Sequence, residues 1–192
     1  IVTVEDAWQG ACDIVAENIS DSAEVRKLLR KELWNAGELV SELIIDEKEA
    51  PEFLQYRDYS EPVRQLPPHR ILAMNRGEDK KALKINLRCP DEKLIAKVAQ
   101  KLNLKEQSPF YTYYHNALTD SYKRLLLPSL ERELRNELTE KAEKQAISVF
   151  AANLRQLLLT QPISGHTVLG LDPGYRTGCK TAVIDPNGRI LA

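Results

Sequence analysis

The sequence predicts a mainly α-helical protein that carries a small β ribbon and ends in the first strands of a separate α/β domain. Apolar residues recur at helical spacing over most of the chain, and residues 83–88 alternate apolar with polar side chains. Near the C-terminus, two apolar runs are each followed by a Pro/Gly cluster, which is typical of a hairpin. We predict a helical body with the ribbon over residues 1–126, a long connecting helix over 127–163, and an incomplete α/β domain over 164–192.

The composition excludes several classes of protein. With 43% hydrophobic and 29% charged residues, the chain is typical of a soluble globular protein rather than a disordered one. It has no apolar run of about 18 residues, so we expect no membrane span. It also has no initiator Met and no signal-peptide pattern, and we expect it to be an internal piece of a longer protein. Cys12, Cys89 and Cys179 are too few and too widely spaced for a zinc or disulfide framework, so we expect reduced thiols in a cytoplasmic protein.

The first two helices are predicted by their caps. Thr3 and Asp6 resemble a capping box, which predicts a helix from there to about Asn18. Asp21 or Ser22 can cap a second helix. Gly37 is predicted to end this helix in the left-handed conformation.

Aromatic side chains on the apolar stripes are predicted to be packed in the core rather than available for stacking on a ligand. A helical turn opened by Pro51 would place three of them on one face. The aromatic residues to which this prediction applies are Trp8, Trp34, Phe53, Tyr56, Tyr59, Phe110, Tyr113 and Tyr114.

The β ribbon is predicted from two segments. Residues 38–46 are rich in Leu, Val and Ile, and residues 83–88 alternate in a way that makes one face apolar and the other positive. We expect the two to pair. Between them, Pro68 is predicted to open a helix that ends at Gly77.

Residues 63–88 form the most basic stretch of the chain. Seven cations stand against two carboxylates, a local net charge of +5 in a chain whose formal net charge is −1. This excess suits a surface that contacts nucleic-acid phosphates, while an ordinary solvated face remains the alternative. The candidate residues are Arg64, Arg70, Arg76, Lys80, Lys81, Lys84 and Arg88.

Three more helices follow. One is predicted to begin at Asp91, and the next at Ser108-Pro109, where Ser108 caps and Pro109 opens the first turn. Pro128 is predicted to interrupt this helix by a kink or a fresh start. The longest periodic segment, residues 129–160, is predicted to be one helix ended by Gln161-Pro162.

The C-terminal hairpin is predicted from turn residues. The first strand, residues 168–171, would end at Asp172-Pro173-Gly174, and a polar link over residues 175–178 would lead to a second strand over 180–184. Asp185-Pro186-Asn187-Gly188 would form the next turn, and residues 189–192 would start a third strand.

Asp172 has two interpretations. In the first, its side chain caps its own turn, and Asp185-Pro186-Asn187-Gly188 is a similar turn sequence. In the second, Asp172 is the first ligand of a divalent cation, and Gly174 and Gly178 allow a phosphate backbone to approach closely. The residues alone leave both open.

The segment V-L-G-L-D-P-G-Y-R-T-G-C-K-T-A-V-I-D resembles the opening of the YqgF domain of bacterial Tex proteins, which are transcription accessory proteins. Residues 58–70 and 125–159 resemble the Tex central region, so the resemblance covers most of the chain. It implies a ribonuclease H-like fold related to the RuvC resolvases for the C-terminal domain.

The resemblance also implies a function. It implies a scaffold that binds RNA or DNA in the full-length protein, with RNA polymerase or ribosome-associated machinery as candidate partners. Gly174 and Arg176 then join the candidate nucleic-acid contacts. Only Asp172 matches the acidic positions of such nucleases, so we expect no catalysis and no cofactor in this chain, with Mg²⁺ a feature of the complete domain only. Two alternatives stay open: part of a RuvC-like metal-dependent nuclease, and a protein docking module built on the long charged helix.

Overall fold

The computed structural model describes residues 3–161, 163–176 and 178–192. Pro162, in the predicted helix end, and Thr177, in the predicted hairpin link, lie outside the described residues. The chain divides into one unit of residues 1–147 and another of residues 148–192. The division at residues 126 and 163 stays a prediction. Within the described ranges, no helix combines the length and the apolar character needed to cross a membrane.

The mainly α-helical class with small antiparallel sheets is confirmed. The helices are α1 (Val4–Asp21), α2 (Ala23–Ala36), α3 (Pro68–Asp79), α4 (Asp91–Lys101), α5 (Tyr111–Asp120) and α6 (Leu127–Leu158). The strands are β1 (Glu38–Leu43), β2 (Asp58–Pro62), β3 (Leu83–Arg88), β4 (Val168–Gly174) and β5 (Gly178–Ile184). Short 3₁₀ turns cover Pro51–Tyr56 and Val63–Gln65, and a π-helical segment covers Ser121–Leu126.

The caps of the first two helices are confirmed. The Thr3 hydroxyl accepts a 3.1 Å hydrogen bond from the Asp6 amide, and the Asp6 carboxylate accepts one of 3.0 Å from the Thr3 amide. Together they form the capping box, which satisfies two amides that a helix start leaves free. The Ser22 hydroxyl accepts from the Val25 amide at 3.4 Å and begins α2.

The prediction that Gly37 is left-handed is wrong. Its φ of −77° and ψ of 146° are extended rather than left-handed. A Cβ at this position would lie 2.4 Å from the carbonyl oxygen of Leu33. That oxygen accepts the Gly37 amide at 2.8 Å. The close approach of the chain to the end of α2 therefore explains the glycine.

The first sheet has the antiparallel order β2-β1-β3. The predicted pairing of residues 38–46 with 83–88 is confirmed, although β1 ends at Leu43. The edge strand β2 was not predicted, because its sequence D-Y-S-E-P is polar and short. It places Tyr59 on β2 rather than on the 3₁₀ turn, although the Tyr59 ring still contacts the Tyr56 ring, with centroids 5.6 Å apart.

α3 begins at Pro68 as predicted, but it does not end at Gly77. The helix continues to Asp79, and Gly77 is buried inside it. A Cβ on Gly77 would lie 2.5 Å from Cδ1 of Leu83. The glycine thus lets α3 pack closely on β3.

The core of the first unit lies where the helices cover the inner face of this sheet. Leu29, Met74, Leu83 and Tyr122 are among its largest fully buried side chains. The first turns of α6 extend the core, with Leu130, Leu134, Leu138 and Ala142 buried along one stripe. The predicted continuation of this stripe within the second unit is exposed, for example at Phe150 and Leu154.

The predicted fresh start of the helix at Pro128 is wrong, and the alternative of a kink stays a prediction. α5 begins at Tyr111, two residues after Pro109, and it is followed without a break by the π-helical segment and α6. Proline lacks the amide for the helical ladder, and its ring crowds the carbonyl four residues earlier. The wider π-helical turn immediately before α6 absorbs this misfit.

In the second unit, β4 and β5 form the predicted hairpin. The prediction that Asp172-Pro173-Gly174 ends the first strand is wrong, because β4 runs through to Gly174. Pro173 is tolerated because β4 is an edge strand of the described sheet. The second turn is confirmed: the Asp185 carboxylate accepts from the amides of Asn187 and Arg189 at 2.9 and 2.8 Å. The predicted third strand begins with a bridge between Ile184 and Ile190.

Candidate nucleic-acid interface

The seven predicted cations do not lie on one element. Arg64 lies on the second 3₁₀ turn, and Arg70 and Arg76 lie on α3. The other four follow in the turn after α3 and along β3: Lys80, Lys81, Lys84 and Arg88. Each cation therefore has surroundings of its own.

Arg70 is engaged within the protein. Its guanidinium donates to the Glu61 carboxylate and to the Tyr59 hydroxyl, both at 2.8 Å. It also lies 5.3 Å from the centre of the Tyr59 ring. The Glu61 side chain is only 20% exposed, so this pair is better shielded from water than an ordinary surface pair. Arg70 therefore links α3 to β2, and its charge is already compensated.

Lys80 is held more loosely. Its ammonium lies 2.9 Å from the Glu52 carboxylate and 5.4 Å from the centre of the Phe53 ring. The hydrogen bond from Lys80 lowers the pKa of the Glu52 carboxyl. Both side chains of the ion pair are about half exposed, and such pairs contribute little stability. The ion pair therefore restrains Lys80 only weakly.

Lys84 and Arg88 lie on the outer face of β3. Their partners in register on β1 are Glu42 and Glu38, which share that face. No carboxylate oxygen among the described residues lies within 4.0 Å of either cation. This face is therefore mixed in charge, a fact that the composition of residues 63–88 alone does not reveal.

Arg64, Arg76 and Lys81 are exposed, and within the described part of the chain they too have no carboxylate oxygen within 4.0 Å. Lys81 has a φ of 56°, and its amide donates to the Glu78 carbonyl at 2.8 Å. With Lys84 and Arg88 they make five cations that have no carboxylate oxygen within 4.0 Å among the described residues. We call these five residues the open cations: Arg64, Arg76, Lys81, Lys84 and Arg88.

The hairpin carries the other predicted contacts. Asp172 is exposed on β4 and stands in register with Lys180 of β5, while Gly174 stands in register with Gly178. Arg176 is exposed in the turn between the strands. The described residues include no group of three His, Cys, Asp or Glu side chains placed to hold a metal ion. They therefore do not supply the several carboxylates that a two-metal site requires.

Sequence reasoning missed two features. Trp8, Phe110, Tyr113 and Tyr114 were predicted to be packed, yet they are between 42% and 52% exposed. Helical spacing placed them correctly on one face of each helix, but periodicity cannot tell whether a partner covers that face. Trp34 is partly buried against the core, as predicted.

The second missed feature is a buried polar cluster. The Tyr122 hydroxyl and the Cys89 thiol both donate to Oδ1 of Asp91, at 2.7 and 3.0 Å. Burial raises the pKa of the Cys89 thiol to about 12. It also raises the pKa of Tyr122. A protonated, shielded thiol is a poor nucleophile, so this cluster is structural.

The described residues thus form a helical body with a small three-stranded sheet, and a hairpin that carries one exposed carboxylate. Residues 1–150 match the family described as Tex central region-like, and residues 166–192 match the Tex protein YqgF-like domain. The chain therefore belongs to the Tex family, and the resemblance seen in its sequence is confirmed.

Similar proteins occur in bacteria and in animals. The chain is 42% identical to uncharacterized protein YdcI of Bacillus subtilis, over 100% of this chain and 27% of that protein. It is 36% identical to human S1 RNA-binding domain-containing protein 1, over 98% of this chain and 20% of that protein. It is 38% identical to transcriptional accessory protein Tex of Neisseria gonorrhoeae, over 96% of this chain and 25% of that protein. The chain thus spans about a quarter of the length of these relatives.

Proposed function

We propose that this chain is part of a scaffold protein that binds nucleic acid during transcription and that the chain itself is not catalytic. The names of two relatives support the proposal: one is a transcriptional accessory protein, and the other is named for an S1 RNA-binding domain. RNA polymerase or ribosome-associated machinery in the cytoplasm is the proposed setting. The nucleic acid is RNA or DNA.

The observation that carries the proposal is the set of open cations. These five side chains are exposed, and among the described residues no carboxylate oxygen lies within 4.0 Å of them: Arg64, Arg76, Lys81, Lys84 and Arg88. A phosphate that meets such a cation releases condensed counterions, which is the main source of sequence-independent affinity. Arg70 is excluded from the contact set because Glu61 and Tyr59 already hold it.

Salt dependence tests the proposal directly. The test variant of the full-length protein carries three changes to Gln, at Arg64, Lys84 and Arg88. Its binding to a fluorescein-labelled single-stranded RNA, and to a matching DNA duplex, would be measured by anisotropy at several salt concentrations. Each lost contact to single-stranded RNA should reduce the magnitude of the slope of log K against log salt by about 0.7. The slope measured for the triple variant should therefore be smaller in magnitude by about 2.

A matched variant controls for net charge. Lys31, Lys48 and Lys93 are also exposed, with no carboxylate oxygen within 4.0 Å among the described residues. Changing these three to Gln removes the same charge from other surfaces. The proposal predicts that only the first variant changes the slope. Equal slopes in the two variants would show that the open cations do not contact phosphate.

A metal-dependent nuclease is the second candidate, because Asp172 lies in the segment that matches the YqgF-like domain. The full-length protein would be incubated with branched DNA or structured RNA and Mg²⁺, with Asp172→Asn as the comparison. The scaffold proposal predicts binding without cleavage in both proteins. Cleavage that the substitution abolishes would assign the nuclease function instead.

A further inference from the structure

An exposed aromatic cluster lies between α1 and α5, away from the open cations in sequence. The rings of Trp8 and Tyr113 are stacked, with centroids 4.8 Å apart and planes inclined by 17°. Phe110 lies 6.3 Å from Trp8, and Tyr114 belongs to the same group. All four are more than two-fifths exposed. Exposed aromatic rings that cluster in this way mark surfaces where proteins bind partners.

The rings enclose a small apolar pocket of about 90 Å³. Its floor is formed by small or aliphatic residues of the two helices: Ala11, Cys12, Val15 and Ala117. The volume equals that of about three water molecules in the liquid. It therefore suits the end of one apolar side chain better than a whole cofactor.

A wider cleft of about 580 Å³ continues from this pocket. The two share Trp8 and Tyr113 as lining residues, and the charged side chains that line the cleft are Glu5, Asp13 and Asp120. Arg124 pairs with Asp120 at 2.7 Å. Within the described residues, Glu5 and Asp13 have no cationic nitrogen within 4.0 Å. The cleft beside the apolar pocket is therefore acidic.

α1 carries carboxylates along its whole length, and α5 ends in Asp120. Together α1 and α5 contain no Lys or Arg. Their carboxylates are Glu5, Asp6, Asp13, Glu17, Asp21 and Asp120. Exposed rings on a basic surface would favour stacking on nucleic-acid bases. On an acidic surface the phosphates are repelled, so the charge favours a basic protein segment.

We infer that the surface formed by Trp8, Phe110, Tyr113 and the acidic cleft docks a segment of another protein that bears one large apolar side chain flanked by Lys or Arg. The apolar side chain enters the pocket between the rings, and the cations face Glu5 and Asp13. This surface is formed by other residues than the proposed phosphate contacts and gives the scaffold a second kind of partner.

The probe is a short fluorescein-labelled peptide in which lysines flank a central leucine, titrated into the full chain and followed by anisotropy. Two further peptides replace the lysines by glutamate or the leucine by alanine. Changing Phe110 and Tyr113 to Ser should weaken binding of the lysine–leucine peptide about tenfold or more, as expected for loss of buried aromatic anchors. The matched control changes the exposed Ile44 and Leu54 to Ser and should leave binding unchanged.

A second pair of variants tests the charges. Changing Glu5 to Gln and Asp13 to Asn should weaken binding and reduce its salt dependence, whereas changing the exposed Glu49 and Glu106 to Gln should not. Circular dichroism checks that every variant is folded.

Several outcomes would overturn the inference. Equal binding of the glutamate or alanine peptide would show that neither charge nor the apolar side chain is recognised. Unchanged binding in the Phe110/Tyr113 variant would place the peptide elsewhere. Loss of RNA binding in that variant would identify a base-stacking platform, and loss of a concentration-dependent dimer in sedimentation would identify a second copy of the chain as the occupant.

Discussion

The hydroxyl of Tyr122 donates a 2.7 Å hydrogen bond to Oδ1 of Asp91, joining the π-helical segment to the first turn of α4. The thiol of Cys89 donates to the same oxygen at 3.0 Å. Tyr122 is completely buried, so its hydroxyl has no water to replace this acceptor. One carboxylate thus satisfies two donors and fixes α4 against the helix that leads into α6.

Removing the Tyr122 hydroxyl should destabilise the protein. The change Tyr122→Phe keeps the buried ring and deletes the donor, so we expect the free energy of unfolding in urea to fall by about 1–2 kcal/mol. The exposed Tyr114→Phe is the control and should change it by less than about 0.5 kcal/mol. Equal effects of the two substitutions would contradict a structural role for the bond.

The raised pKa of Cys89 predicts a loss of stability in alkali. In the unfolded chain a thiol ionises near about pH 8.5, whereas the folded Cys89 keeps its proton up to about pH 12. Above about pH 8.5 the unfolded state therefore binds fewer protons than the folded state, and the free energy of unfolding falls as pH rises through this window. The raised pKa of Tyr122 should likewise lower the free energy of unfolding as the pH rises above about 10.

The substitution Cys89→Ala removes the thiol's share of this effect. Urea unfolding at several values between about pH 8 and pH 10.5 should show a shallower decline in the variant than in the parent. Parallel curves for the two proteins would mean that Cys89 titrates alike in the folded and unfolded states.

Cys179 and Cys89 should also differ in reactivity. Cys179 is exposed on β5, whereas Cys89 is half-buried and its thiol is held protonated. An aromatic disulfide reagent at neutral pH should therefore modify Cys179 in the folded protein and Cys89 only after unfolding. If the fast phase of the modification reaction belongs to Cys179, it should be absent from a Cys179→Ser variant. A fast phase that persists in this variant, with the label on Cys89, would show that Cys89 is reactive in the folded protein.

Features set by residues close in sequence could be predicted. The capping box of Thr3 and Asp6 and the alternation along β3 depend on side chains within a few residues of one another. The strand β2 could not be predicted, because it is stabilised by pairing with β1 across the Pro51–Tyr56 turn. The continuous helix through Pro128 could not be predicted either, because the π-helical segment that accommodates the proline lies before it in the chain.

The candidate site, too, could be predicted only in part from the sequence. The sequence identified every cation of the basic stretch, but it could not show that Glu61 holds Arg70 or that Glu38 and Glu42 stand opposite Arg88 and Lys84. These relationships follow from strand register and helix packing rather than from composition. The same holds for the aromatic cluster, whose exposure depends on what α1 and α5 leave uncovered.

Two glycines inside helices provide the sharpest test of the packing. A Cβ on Gly77 would lie 2.5 Å from Cδ1 and 2.7 Å from Cγ of the buried Leu83, so in Gly77→Ala the Leu83 side chain, or β3 with it, must move. We expect a loss of about 1–3 kcal/mol in the free energy of unfolding, because overpacking outweighs the better helix propensity of alanine.

Gly10, within α1, is the matched control, since a Cβ there would meet no atom within 4 Å. Gly10→Ala should therefore stabilise the protein by about 0.5–1 kcal/mol through helix propensity alone. Urea unfolding of the two variants should give changes of opposite sign. A stabilising Gly77→Ala would show that β3 and α3 are not packed as closely as described, and the explanation of that glycine would have to be abandoned.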